Sequence, residues 1–299
     1  MTGDRLRLGI DLGGTKIAGA LLDGSGALRR QERVATPRDY DGVVRAIREL
    51  ADALAPAEVG IGMGMPGSVS PSTGLVRNSN TAFLNGRDLP GDLAAASGRR
   101  VRAANDADCF TLSEATDGAA AGARVVFGVI LGTGCGGGVV VDGRLIPGAG
   151  GIAGEWGHTP LPWAEPFEHP GPRCWCGRLG CMEMWVAGTA FERDDGRGLK
   201  GREIAERAAQ GEAHAAASLA RYVSRLGRGL AMICDVIDPA VIVLGGGMSN
   251  TDALYPAVEQ AVAPWAFTDA PVVRVVRNRH GDSSGVRGAA WLWPLEGGV

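Results

Sequence analysis

Three apolar runs in this chain end in clustered glycines. They are Gly9 with Asp11-Leu12-Gly13-Gly14-Thr15-Lys16, Gly132-Thr133-Gly134 with Gly136 and Gly137, and Gly245-Gly246-Gly247. Glycine lets the backbone adopt positive φ and approach a ligand closely. Successive N–H groups in such turns form concave nests for anions such as phosphates. A tight hairpin needs glycine too, so one such turn means little, but three in one chain point to a phosphate-bearing ligand. The spacing matches neither a P-loop nor a dinucleotide fingerprint. A second group is His158, Cys174, Cys176 and Cys181. One imidazole and three thiols are the donor set of a closed tetrahedral zinc site, which leaves no position for water and so has a structural role. The competing reading is three free or disulfide-forming thiols. The third group is Asn105-Asp106, just past an apolar run. From the residue types alone, Asp106 is equally a general base in a cleft and, with Asn105, a cap on the helix that follows.

The chain has 299 residues with a formal net charge of −3. Length predicts two domains, and the near-neutral balance with scattered Arg argues against nucleic acid as a partner. No apolar leader opens the chain. Its longest uncharged run, residues 125–141, is glycine-broken and shorter than the ~20 residues of a membrane span. No membrane association and a cytoplasmic location are therefore expected. Glycine, at 48 of 299 residues, is about twice its usual ~7%. The glycines cluster at the ends of apolar runs, which assigns them to turns rather than to low complexity.

The elements that must hold these groups follow from periodicity. Residues 7–11 and 17–22 read as strands around the first glycine turn, with a third strand after the turn at 23–26. Residues 41–55 carry apolar side chains at helical spacing. Strands are expected at 59–63 and 101–104, and a helix at 107–115. The small, alanine-rich stretch 117–123 is the expected boundary. Beyond it come a strand pair at 125–131 and 139–141, a long irregular stretch at 146–182, helices over 202–237, and a strand at 241–244. Strands alternating with helices in both halves predict an α/β protein with two domains and a cleft between them.

The glycine motifs, in this order, resemble the phosphate 1, phosphate 2 and adenosine motifs of the actin/hexokinase/Hsp70 superfamily. Glu155-Trp156-Gly157-His158 and the stretch from Cys174 to Glu183 resemble the signatures of ROK sugar kinases, over essentially the whole chain. Within that family the chain looks most like bacterial fructokinases of the manno(fructo)kinase type. The resemblance implies a two-domain actin-like ATPase (ribonuclease H-like) fold with a nucleotide and sugar cleft. It implies domains of 1–118 plus 285–299 and 119–284, with ATP and Mg²⁺ at the glycine turns and Asp11. It implies zinc at His158, Cys174, Cys176 and Cys181. The small-molecule substrate is a hexose phosphorylated on its 6-hydroxyl, with fructose first and glucose, mannose or an N-acetylhexosamine as alternatives. Asp106 becomes the general base, and Gly67, Asn80, Asn105, Asp106, Glu155, His158 and Glu183 become the sugar contacts. Relatives are often dimers, so a homodimer is expected. Asp108 stands where the family often has Asn and receives no catalytic role. ROK repressors carry a DNA-binding region ahead of the core, for which the eight residues before Gly9 are too few.

Overall fold

The computed structural model describes residues 6–269 and 274–293. The chain builds two five-stranded mixed sheets of like topology. The first holds β1 (Arg7–Leu12), β2 (Lys16–Leu22), β3 (Leu28–Ala35), β4 (Ile61–Met65) and, after the small hairpin β5 (Ser68–Val69) and β6 (Val76–Arg77), β7 (Val101–Asn105), in the order β3-β2-β1-β4-β7. The second holds β8 (Val125–Leu131), β9 (Cys135–Val141), β10 (Arg144–Leu145), β11 (Val241–Gly245) and β12 (Arg274–Arg277), in the order β10-β9-β8-β11-β12. Each sheet is thus an antiparallel meander of three strands extended by two parallel ones. The parallel additions need helical crossovers. In the first sheet these are α1 (Tyr40–Leu54) and α2 (Leu89–Ser97). In the second they are α4 (Glu183–Val186), α5 (Gly188–Asp195), α6 (Gly201–Ala209), α7 (Ala213–Ile237) and α8 (Leu254–Val262). Two further helices, α3 (Asp106–Thr116) and α9 (Ser284–Trp291), each follow the last strand of a sheet.

Local chemistry accounts for these elements. Asp39 caps α1 by accepting from the Gly42 amide at 2.8 Å, and Val43, Ile47, Leu50, Ala51 and Leu54 form its buried stripe. Gly98 in the left-handed region ends α2, as C-terminal glycines do. Helix α3 begins with Asn105, whose side chain accepts from the Ala107 amide at 2.9 Å.

α3 and α9 lie between the two sheets. α3 buries Phe110, Leu112 and Ala115 against Val126, Val140, Val241 and Val243 of the second sheet. α9 lies so close on β1 and β4 that a Cβ at Gly9 would stand 2.1 Å from the Val286 carbonyl oxygen, and one at Gly62 would stand 1.8 Å from that of Ala289. The two helices also meet, since a Cβ on Gly288 would fall 1.6 Å from the Cys109 carbonyl oxygen. Glu114, fully buried near the end of α3, binds the chain before α9 by accepting from the amides of Arg279 and His280 at 2.9 and 3.1 Å. It also accepts from the Ser284 hydroxyl at 2.8 Å.

Sequence expectations map onto this with shifts. The strand expected at 59–63 runs from Ile61 to Met65. The final helix expected at 285–299 is Ser284–Trp291, and residues 294–299, like 1–5 of the expected first domain, lie outside the described residues. α3, expected with the first domain, packs its apolar face on the second sheet. Among the described residues no helix is long and apolar enough to cross a membrane.

Candidate active site

The ends of the strands deliver the chemistry to one cleft. Asp11 leaves the end of β1, and its carboxylate lies beside Gly285 in the first turn of α9, where a Cβ would come within 2.9 Å of Oδ2. The Gly13–Gly14 turn is closed by the Gly13 amide donating to the Lys16 carbonyl at 3.0 Å and by the Thr36 hydroxyl donating to the Gly13 carbonyl at 2.7 Å. Two adjoining cavities of about 310 and 330 Å³ fill the cleft. One is walled by Asp11, Gly13, Gly14 and Gly246, together with Gly281, Asp282, Ser284 and Gly285. The other is walled by Gly67, Asn80, Asn105, Gly132, Thr133, Gly134, Gly136, Glu155 and Glu183. Pro66, Asn80, Asp106 and Ile130 belong to both. Asp106 therefore stands at the seam between the chamber of the Gly13–Gly14 turn and a chamber rich in amides and carboxylates, and it is the latter that takes Gly132, Thr133, Gly134 and Gly136 of the second expected phosphate turn.

The carboxylates are tuned by burial and by one another. Asp106 opens to the cleft, yet its surroundings raise its pKa, chiefly through desolvation, against stabilising hydrogen bonds from the Ala107 amide and Asn105. Burial and the nearby Asp106 push Asp11 up to about 6, against the pull of Lys16 and Arg33. Burial, Glu155 and Asp106 push Asp108 to about 7, and its Oδ1 is buried without a hydrogen-bond partner. Glu155 is also raised by desolvation. Ordinary carboxyls ionise near 4, so this cleft holds protons unusually well and favours a divalent cation or a proton acceptor role at neutral pH.

Several of the polar groups are already engaged. Asn105 donates to the Gly67 carbonyl at 3.0 Å, which pins the Pro66-Gly67 turn to the start of α3. Glu183 accepts from the Cys135 amide at 3.1 Å and so braces the glycine turn between β8 and β9. His158 lines a neighbouring cavity with Glu155 and Trp175 rather than the central chamber.

Other expected contacts have a different reason for their residue type. Gly9, Gly137 and Gly245 line neither chamber. Gly9 lies under α9, Gly137 faces Trp156 and Phe127 at 2.8 and 2.9 Å from a built Cβ, and Gly245 faces the Phe110 ring at 2.4 Å. These three are packing glycines. Thr15, Lys16 and Gly247 are exposed beside the cleft but wall neither chamber. Conversely, Pro66, Ile130, Gly281, Asp282, Ser284 and Gly285 line the cleft although no binding role was expected of them. The Gly281-Asp282-Ser283-Ser284-Gly285 run was their available signal, a glycine-rich helix start like the other turns.

His158, Cys174, Cys176 and Cys181 converge, with their ligand atoms all within 4.8 Å of one another. Zinc bonds of about 2.3 Å to sulfur and 2.0–2.1 Å to nitrogen require tetrahedral edges of about 3.8 Å (S···S) and 3.6 Å (S···N). The Cys176–Cys181 sulfurs lie 3.6 Å apart and Cys174 Sγ lies 3.6 Å from His158 Nδ1. The donor set and its spacing fit one tetrahedral ion, with Nδ1 as the histidine donor. The loop around it is also held by protein contacts. Buried Glu168 accepts from Arg225 at 2.8 Å and from Arg228 at 2.8 and 2.9 Å, which ties the irregular stretch to α7.

The sequence profile of the ROK family matches residues 7–296. The chain belongs to the ROK family. An N-acetyl-D-glucosamine kinase of Photobacterium profundum is 41% identical over 296 residues, 95% of this chain and 98% of that protein. The ROK hexokinase of Thermus thermophilus superposes with a TM-score of 0.83 at 32% identity, covering 96% of this chain and 97% of the other. A ROK glucokinase of Streptomyces griseus, solved with glucose and AMPPNP, gives 0.79 at 28% identity, covering 96% and 99%. The two-sheet ROK protein described here thus has the actin-like ATPase fold and stands among the sugar kinases of its family. The similarity to N-acetyl-D-glucosamine kinases displaces the expectation of a fructokinase-type enzyme.

Proposed function

We propose that this ROK protein transfers the γ-phosphate of ATP to the 6-hydroxyl of N-acetyl-D-glucosamine, with Asp106 as the general base. The observation that carries the reading is the position of Asp106 on the wall common to both chambers, where a hydroxyl held on one side meets a phosphate held on the other. The phosphates are received by the Gly13–Gly14 turn, Gly246 and the Ser284–Gly285 helix start. Their N–H groups and the helix dipole suit an anion. Asp11 has the oxygen donor and the place at the phosphate turn that Mg²⁺ requires, and Mg²⁺ when bound neutralises charge on the transferring group.

The sugar is oriented by Asn80, Asn105, Glu155 and Glu183, with Gly67 closing the chamber wall. Asp106 accepts the proton of the 6-hydroxyl as that oxygen attacks phosphorus, so no covalent enzyme intermediate is needed. Closure of the two lobes excludes water and so suppresses ATP hydrolysis. Zinc at the four converging ligands would fix the loop that presents Glu155 and Glu183, and His158 also lines the adjoining cavity. A homodimer is part of the proposal and is read by light scattering.

The acceptor is supported by the relatives at about two-fifths identity. Fructose, the acceptor implied by the resemblance to bacterial fructokinases, is the competing reading, because the same fan of hydrogen-bonding groups suits either sugar. The test is ADP release from MgATP with N-acetylglucosamine, glucose, mannose, fructose and N-acetylmannosamine at matched concentrations. The highest kcat/KM is expected for N-acetylglucosamine. A maximum for fructose would overturn the acceptor and keep the mechanism. No sugar-dependent turnover at all would point instead to a non-catalytic sugar sensor.

A further inference from the structure

Beside the sugar chamber lies a third cavity of about 480 Å³, walled by Asn78, Ile152, Glu155, His158, Trp175 and Arg178 among others. It shares Asn78, Glu155 and Trp175 with the sugar chamber but does not reach Asp106. The two spaces are therefore contiguous, and the third lies on the side remote from the nucleotide chamber. Which part of the acceptor faces it follows from sugar geometry, given the 6-hydroxyl acceptor proposed above. The 6-hydroxyl is carried on C5, and C2 is the ring atom diagonally opposite C5. A pyranose with that hydroxyl at Asp106 directs its C2 substituent away from Asp106, and the third cavity is a space contiguous with the sugar chamber that Asp106 does not line.

We propose that this third cavity is the subsite for the N-acyl group on C2, and that it accepts acyl chains longer than acetyl. Its walls have the two chemistries an acylamide needs. Ile152 and Trp175 present apolar surface that is 53% and 61% exposed, the kind of partly open apolar patch that a ligand covers. Trp175 is held in place despite its exposure, with its ring edge-on to His158 at 5.0 Å and 84°. Asn78 and Arg178 supply exposed donors for the acyl carbonyl. Size decides the second half of the proposal. An acetamido group has the bulk of a few water molecules at about 30 Å³ each, a minor part of the space, so longer chains have room.

The experiment compares kcat/KM for N-acetyl-, N-propanoyl- and N-butanoyl-D-glucosamine and for D-glucose, in the wild type and in Ile152→Ala and Arg178→Ala. Both side chains are exposed, so both variants are expected to fold. The longer N-acyl sugars should stay within about tenfold of the N-acetyl sugar, whereas a pocket closed around acetyl rejects each added methylene by ~10–200-fold. Ile152→Ala should lower kcat/KM for the N-butanoyl sugar by about three- to tenfold, mainly through KM, with glucose little changed. Arg178→Ala should weaken all three N-acyl sugars relative to glucose. Rejection of the N-butanoyl sugar, or equal losses for glucose and the N-acyl sugars in both variants, overturns the subsite while leaving the acceptor reading intact. Phosphorylation of glucose or fructose with none of N-acetylglucosamine overturns both.

Discussion

Replacing Asp108 with Asn should make the protein more stable, and by an amount that depends on pH. Asp108 is a partly buried carboxyl on α3, beside the cleft, with neither a partner for its buried Oδ1 nor an assigned step in the chemistry. Burial first, then Glu155 and Asp106, raise its pKa from 3.8 to about 7. At 1.36 kcal/mol per pH unit, ionising it in the folded state costs up to about 4 kcal/mol. Partial exposure of the residue lowers the expected gain from Asp108→Asn to about 1–3 kcal/mol. The direction of the pH effect follows from linkage. The folded chain keeps this proton up to about pH 7, whereas the unfolded chain releases it near 3.9. Between those values the folded state binds more protons, so the stability of the wild type falls as pH rises through the window. The variant has no such proton. Its advantage should be near zero at pH 4, grow through pH 5 and 6, and level off above pH 7. Chemical denaturation of both proteins at pH 5 and pH 8 reads this directly, and a gain of 1 kcal/mol corresponds to about 2–4 °C in Tm. An advantage that is absent at pH 8, or larger at pH 5, would refute the assignment of an unrelieved buried charge.

Asp106→Asn should lower kcat by ~10²–10⁴-fold without lowering Tm, because the lost charge is one that burial penalises; near-normal ADP release would remove Asp106 from the chemistry. In the wild type, kcat/KM should fall as pH drops below about 6, where Asp11 takes up a proton. Excess Mg²⁺ should move that limb to lower pH, since a cation favours the carboxylate. Glu168→Gln leaves Arg228 buried without its anion and Arg225 with Asp194 alone and should cost ~3–5 kcal/mol; a denaturation midpoint equal to that of the wild type would show the pairs to be expendable. Purified protein should carry one zinc per chain by emission spectrometry, and Cys176→Ser or chelation should expose residues 146–182 to protease. Metal-free protein that is equally resistant and fully active would exclude the zinc site.

The cleft was legible where its signal was local. The glycine turns, Asn105-Asp106 and the Cys174–Cys181 cluster each announce themselves within a few residues, and their types already limit the chemistry. What the sequence left open was set by contacts distant in the chain. Gly9 and Gly245 look like their neighbours Gly13 and Gly246, yet Gly9 faces α9 and Gly245 faces Phe110, and nothing within the motif separates packing from binding. Helix α2 was missed because only Leu89 and Leu93 among its residues are buried, too few to set a period. The repeated sheet topology was also invisible. One long irregular stretch and four helices separate β10 from β11, whereas α1 alone joins β3 to β4, so no fixed period survives. The preferred sugar was not legible for a chemical reason, since hydroxyl-binding groups say what is held rather than what else hangs from the ring.

The position of α9 has a consequence for how the protein is made. The α9-facing side of the first sheet, with Gly9 and Gly62 bare of side chains, is complete in sequence once Asn105 has been added. Its cover arrives only with Trp291, 186 positions later. At about 5–20 residues per second, a ribosome takes roughly 10–40 s to bridge that gap. For that interval the nascent first lobe displays Ala18 and Ala20 and the backbone of β1 and β4 to whatever is nearby, and the last turns of the chain release it from that exposure. Substitutions on the sheet-facing side of α9, at Val286 or Ala290, should therefore reduce the yield of folded protein before they change what the finished molecule does.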